Sequence, residues 1–171
     1  MKCEECGYDY GTLPRDELAV TLRALAERYG EGLEASPEVL RKHALAGVWS
    51  ILEYCCHLRD VLRAQRERIG LALEQDTPTF APMRREERVS EERYNEQEPK
   101  RVANEIQEAA DQLAARLESL DEAGWNRAGV YNYPRSEVRT VDWIGRHTVH
   151  ECVHHLMDID RLVRAASRES R

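Results

Sequence analysis

Several things are scarce in this sequence, and each scarcity excludes something. Aromatic residues make up 6% of its 171 positions, whereas 33% are charged. With many Ala, Leu, Glu and Arg, that balance belongs to a helical protein. No apolar run is long enough to cross a membrane. The amino terminus, Met1-Lys2-Cys3-Glu4-Glu5-Cys6, has no signal-peptide pattern. The expectation is a cytoplasmic protein with no membrane partner. Basic charge is not in excess either: the formal net charge is −7. A nucleic-acid binder would show a basic face, so no nucleic-acid partner is expected. A disulfide framework is missing as well, because the five cysteines are odd in number and Cys55 and Cys56 are adjacent. Such usage suits a reducing compartment. The length fits a single domain over residues 1–171, long enough to bury a core.

What is present is helical periodicity. A first helix is expected from about Asp16 to Tyr29, after Pro14, with Leu18, Leu22, Leu25 and Ala26 on its apolar face. A second opens at Ser36-Pro37-Glu38 and runs to about Leu73. Residues 74–99 form a long polar connection with three prolines and a charged stretch, Arg84-Arg85-Glu86-Glu87-Arg88. A third helix covers about Lys100 to Leu120. Asp121 to Arg139 reads as a loop in which Trp125, Tyr131 and Tyr133 are candidates to wall a pocket. Thr140-Val141-Asp142 opens a fourth helix that continues to about Ala166. Four helices, one long crossover and no strands predict an all-α four-helix bundle.

Two clusters carry chemistry. Residues 1–14 form an extension holding Cys3-Glu4-Glu5-Cys6-Gly7, which looks like half of a zinc knuckle. A structural zinc site closes with four ligands, and no second Cys-x-x-Cys exists to complete it. Cys3 and Cys6 read as a free thiol pair, a redox pair, or a second metal half-site completed by other residues or another chain. The other cluster lies in the last helix, where His147, His150, His154 and His155 fall within nine residues. A helix turns about 100° per residue, so positions three and four apart share a face. His150 and His154, one turn apart, have the spacing that lets two imidazoles share one metal. Glu151 and His155 have the same spacing, about 100° further round. The spread of Val149, Cys152, Val153 and Leu156 leaves the core-facing pair open, with His150 and His154 favoured. His57, in the second helix, is the candidate third ligand. Three imidazoles would leave a position for water or substrate. Histidine suits Zn, Ni and Fe alike, and Zn is the expected divalent metal.

His57, followed by a final helix bearing His150, His154, His155, Leu156 and Asp158, resembles the DinB-like superfamily. That group includes the mycothiol-dependent maleylpyruvate isomerases and the bacillithiol and mycothiol S-transferases. The likeness covers most of the chain but not the Cys-x-x-Cys extension. It implies an up-down-down-up bundle, often a homodimer, with the long connection between helices 2 and 3. It also implies a metal held by one His from helix 2 and two ligands four apart on the last helix. The isomerase branch uses a Glu where this chain has His150. Carried over in that register, the ligands are His57, His150 and His154.

The resemblance further implies a low-molecular-weight thiol cofactor such as mycothiol, activated by the metal, and an electrophilic substrate. The function expected is a thiol S-transferase or isomerase. A metal-dependent hydrolase using a metal-activated hydroxide is the alternative, as is a non-catalytic, metal-holding stress-response bundle. Glu151, His155 and Asp158 are expected to orient the ligands from behind. His147 is the candidate catalytic proton carrier, and Arg146, with Tyr131, Tyr133 and Trp125, is a candidate substrate contact.

Overall fold

The structure, a computed structural model, describes residues 1–132 and 135–169, with side chains as far as 166. After a 3-10 turn at Arg15–Glu17 come α1 (Leu18–Gly32), α2 (Pro37–Arg41), α3 (Ile51–Glu74), α4 (Arg85–Glu91) and a 3-10 turn at Tyr94–Glu96. Then follow α5 (Pro99–Glu118), α6 (Glu122–Asn126), β1 (Ala128–Tyr131), β2 (Glu137–Thr140) and α7 (Val141–Glu169). The long helices α1, α3, α5 and α7 make the bundle. Their directions follow from cross-helix pairs. Arg59 bonds Glu105 and Arg66 bonds Gln112, so α3 and α5 run parallel. A Cβ on Gly145 would touch Leu18, and the Tyr29 hydroxyl donates to the Cys152 carbonyl, so α1 and α7 run parallel to each other. His57 meets His155, while Gln65 and Arg68, further along α3, share a cavity wall with His147, earlier on α7, so α3 opposes α7. The order is up-down-down-up. The core between the helices is aliphatic, built on residues such as Leu22, Leu52, Leu62, Ile106, Leu113 and Ile144.

Two expectations from the sequence need correction. The second helix is not continuous from Ser36 to Leu73, because the chain leaves helical geometry between α2 and α3. Ser50 accepts from the Glu53 amide at 3.2 Å, and the Glu53 carboxylate accepts from the Ser50 amide at 2.7 Å. This reciprocal capping box starts a new helix. Gly47, at φ +72°, supplies the left-handed turn before it. The segment from Asp121 to Arg139 is also more than a loop. It holds α6 and the antiparallel pair β1–β2, with Val130 opposite Val138. The crossover docks on this hairpin, since Phe80 donates its amide to the Val130 carbonyl at 3.0 Å and Val130 returns one to Pro78 at 2.8 Å.

The crossover is anchored on α3 as well. Asp60, 5% exposed, accepts from Arg59 Nε at 2.8 Å, Arg88 at 2.9 Å and the Tyr94 hydroxyl. These cationic and hydroxyl donors hold the Asp60 carboxyl below its ordinary range against the opposing effect of burial. The pairing fixes α4 and Tyr94 to the helix that carries His57, one turn from that residue.

Candidate metal centre

On α7 the buried positions include Val141, Ile144, Thr148, Cys152, His155, Ile159 and Leu162, with Gly145 and Val149 buried beside them. That three-and-four spacing puts His155 on the core stripe, with Glu151 at its edge. Across from it, Ser50 sets the start of α3 and hence the phase that aims His57 inward. The result is a cluster of His57, Glu151 and His155, each offering one ligand atom within 4.8 Å of the others. His57 and His155 meet edge to face at 5.1 Å between ring centroids, and Trp49 also packs edge-on against His57 at 5.0 Å.

The fold therefore does not gather His57, His150 and His154 into one set. The residue following each member of the expected α7 pair is the one that meets His57. About 100° of helix rotation separates the pairs, and it carries His150 and His154 to the flank of α7. There they lie with Cys3 and Cys6, again with ligand atoms within 4.8 Å of one another.

The electrostatics of the core cluster are those of a cation site. Burial pushes His57 down to about 3, helped by His155, so its ring is neutral at neutral pH. Burial works against the charge on Glu151, but His155, His147 and His150 outweigh it and keep the carboxylate ionised. Burial likewise opposes a proton on His155, and Asp158 and Glu151 overcome it. His155 Nδ1 lies 3.3 Å from Asp158 Oδ2. Its Nε2 is buried without a hydrogen-bond partner among the described residues, 3.7 Å from Glu151. Once a cation displaces the proton that Glu151 and Asp158 hold on His155, this orphaned nitrogen, beside a carboxylate and a neutral imidazole, fits a divalent metal: two histidines and a glutamate are a known ligand set for catalytic zinc.

His57 and Glu151 form part of the wall of a cavity of about 260 Å³. His147, Arg68, Tyr131, Asn132 and the crossover residues Pro82, Met83, Arg84 and Arg85 complete most of its lining. Arg68 is 8% exposed. Its hydrogen bonds go to neutral oxygens: the Tyr131 hydroxyl and the Ala81 carbonyl, both at 2.9 Å, and Gln65 at 3.2 Å. His147 is pushed down to about 4 by burial, with Glu151 opposing. Its Nδ1 is 2.8 Å from the Tyr10 hydroxyl and its Nε2 is 3.7 Å from Glu151.

Of the other candidates, Tyr131 is on the cavity wall and Tyr133 lies outside the described residues. Trp125 is not on that wall; it packs under Arg15 and beside Gly145, near the start of α7. Arg146 also serves structure, bonding Asp142, the Tyr10 carbonyl at 3.0 Å and the Leu13 carbonyl at 2.6 Å. Sequence reasoning missed Arg68 and Trp49. Arg68 follows Gln65 and sits one position before Ile69 in the apolar repeat of α3, and a charge beside a core position was the available signal.

A family model described as the DinB superfamily matches residues 15–159. No curated protein matches the sequence. Among solved structures, YfiT from Bacillus subtilis, reported as a probable metal-dependent hydrolase with an unusual four-helix bundle topology, is similar at a TM-score of 0.82. It is 19% identical over 94% of this chain and 93% of that one. A mycothiol-dependent maleylpyruvate isomerase is similar at a TM-score of 0.69 and 16% identity. The match covers 87% of this chain and 62% of the isomerase, so the chain spans less than two thirds of that enzyme. At these identities the likeness is one of fold.

Proposed function

This chain belongs to the DinB superfamily, and we propose that it is a metal-dependent enzyme whose ion is held by His57, Glu151 and His155. We further propose that it joins a low-molecular-weight thiol to a small electrophile, or isomerises one through such a thiol. The observation that carries this reading is the three-residue cluster opening on a cavity with a buried cation in its wall. Three protein ligands leave a place for a reactant, where four would close the site. A divalent metal there supplies a Lewis acid that lowers the pKa of a thiol or water brought against it.

The chain's own residues supply the rest. Asp158 accepts from Nδ1 of His155 and so leaves Nε2 to face the cluster. His57 is already neutral and gives up no proton on binding a cation. Arg68 offers a buried positive charge to a carboxylate or other anionic group of the thiol or electrophile. His147, uncharged at neutral pH and on the cavity wall, holds or passes a proton at Nε2, its tautomer governed by Tyr10. Val61, Pro82 and Met83 give the cavity apolar walls that keep water away from the reacting groups.

The test is thermal melting of zinc-loaded protein with mycothiol, with bacillithiol and with buffer. A ligand of the native state at one hundred times its dissociation constant stabilises by about 2.7 kcal/mol. For a chain of this size that raises the melting temperature by roughly 5–10 °C. Absence of any shift with either thiol, together with hydrolysis of a simple ester by the same preparation, would replace the transferase reading with the hydrolase one.

A further inference from the structure

We infer that Cys3, Cys6, His150 and His154 form a second metal site, closed and structural, which zinc fills and which fastens the amino-terminal segment onto α7. The four residues each bring a ligand atom within 4.8 Å of the others. Two sulfurs and two imidazole nitrogens are a complete set for tetrahedral zinc, with no position left over for a reactant. Two thiolates and two neutral rings also balance the charge of a divalent ion, which suits the half-buried position of all four.

The local backbone is shaped for this. Cys3 donates its amide to the Tyr8 carbonyl at 2.8 Å, and Gly7 donates to the Cys3 carbonyl at 3.0 Å. Gly7, at φ +76°, makes the tight turn. The Cys6 and Glu5 backbone amides approach the Cys3 sulfur, as amides around a knuckle thiolate do. Cys3 Sγ already lies 3.8 Å from His154 Nδ1. His150 is engaged at Nδ1 by the Tyr10 hydroxyl at 3.0 Å, and its Nε2 is buried without a hydrogen-bond partner among the described residues. This second orphaned nitrogen is the one Tyr10 leaves for the ion.

The site also reaches the cavity. Tyr10 has one hydroxyl hydrogen and sits between Nδ1 of His150 and Nδ1 of His147. With an ion on His150 Nε2, Nδ1 of His150 carries its hydrogen and donates to Tyr10, and Tyr10 donates to His147. His147 then presents Nε2–H toward Glu151. The second site would thus fix the tautomer of a cavity-wall histidine. The extension lies before the segment matched to the superfamily, and the inference stands whether or not the cavity proves catalytic.

Cobalt(II) tests it, on the full-length reduced protein purified without a histidine tag. Cobalt added to wild type should give thiolate-to-metal charge-transfer absorption with intense tetrahedral bands, and titration should reach about two equivalents. Cys3→Ser/Cys6→Ser should lose the charge-transfer band and one equivalent. His154→Ala should weaken cobalt binding at that site at least tenfold. His57→Ala should retain the band, which separates this site from the core cluster. Far-ultraviolet dichroism on every variant verifies folding, and the wild-type band stands as a readout that needs no variant. A wild-type spectrum without a thiolate band, or a band unchanged in the cysteine variant, would overturn the inference.

Discussion

Replacing Asp60 by Asn tests how the crossover is held over the cavity. Asp60 is 5% exposed, and Arg59 beside it is equally buried. The carboxylate accepts from Arg59, Arg88 and Tyr94. An amide keeps one accepting oxygen but turns two N–H donors against donors, and it leaves Arg59 with Glu105, at 2.9 Å, as its remaining carboxylate. Breaking a buried ion pair from one side costs about 3–5 kcal/mol. Arg88 is 42% exposed, so its share is small. The lower end of the range, about 3 kcal/mol, is therefore expected, or roughly 6–12 °C in melting temperature for a chain of this length. The pH dependence has a definite sign. Because the folded value of Asp60 is depressed, its stabilisation is fully present above the unfolded value of about 3.9 and is lost as pH falls through the folded one. Urea denaturation at pH 7 and near pH 3 measures the gap between wild type and variant, which should narrow in acid. A gap below about 1 kcal/mol at pH 7, or one of constant size at both pH values, would refute the reasoning.

Three further outcomes are expected. Ser50→Ala removes the cap that starts α3 and should cost about 1 kcal/mol, with faster amide exchange in the first turn of α3 read by hydrogen–deuterium exchange. Gly129→Ala drives a Cβ into the Phe80 ring, and the overpacking should cost about 1–3 kcal/mol in urea denaturation. Arg68→Gln removes the buried positive charge from the cavity wall and should weaken thiol or anionic substrate binding by about tenfold or more, read as a rise in Kd by calorimetry with the fold intact.

The bundle was legible because the apolar residues of each long helix recur at helical spacing, and Leu18, Leu22, Leu25 and Ala26 are indeed buried on α1. The break before α3 was also written in the chain, as Ser50 with Glu53 three residues on, but it was masked by helix-compatible residues on both sides. Choosing the ligand pair on α7 depended on the phase of a single stripe. Counting back from Leu162 and Ile159 in steps of three and four lands on His155, Cys152 and Thr148, but equally on Leu156, Val153 and Val149, so the apolar pattern left both candidate pairs open. The adjacent histidines hid that phase, because His150 with His154 and Glu151 with His155 have the same spacing. The approach of His150 and His154 to Cys3 and Cys6 was beyond any local reading. His150 and His154 lie more than 140 residues away in sequence, and the packing of Tyr8 and Tyr10 along α7, with the Arg146 bonds to the Tyr10 and Leu13 carbonyls, brings the segments together.

Metal content per chain tests the core cluster most directly, measured by elemental analysis on untagged protein in the Cys3→Ser/Cys6→Ser background. The account predicts about one equivalent of a first-row divalent metal, lost in His57→Ala and in His155→Ala and kept in His154→Ala. Metal that persists without His57 and disappears without His154, or none bound even after reloading with zinc, would contradict it.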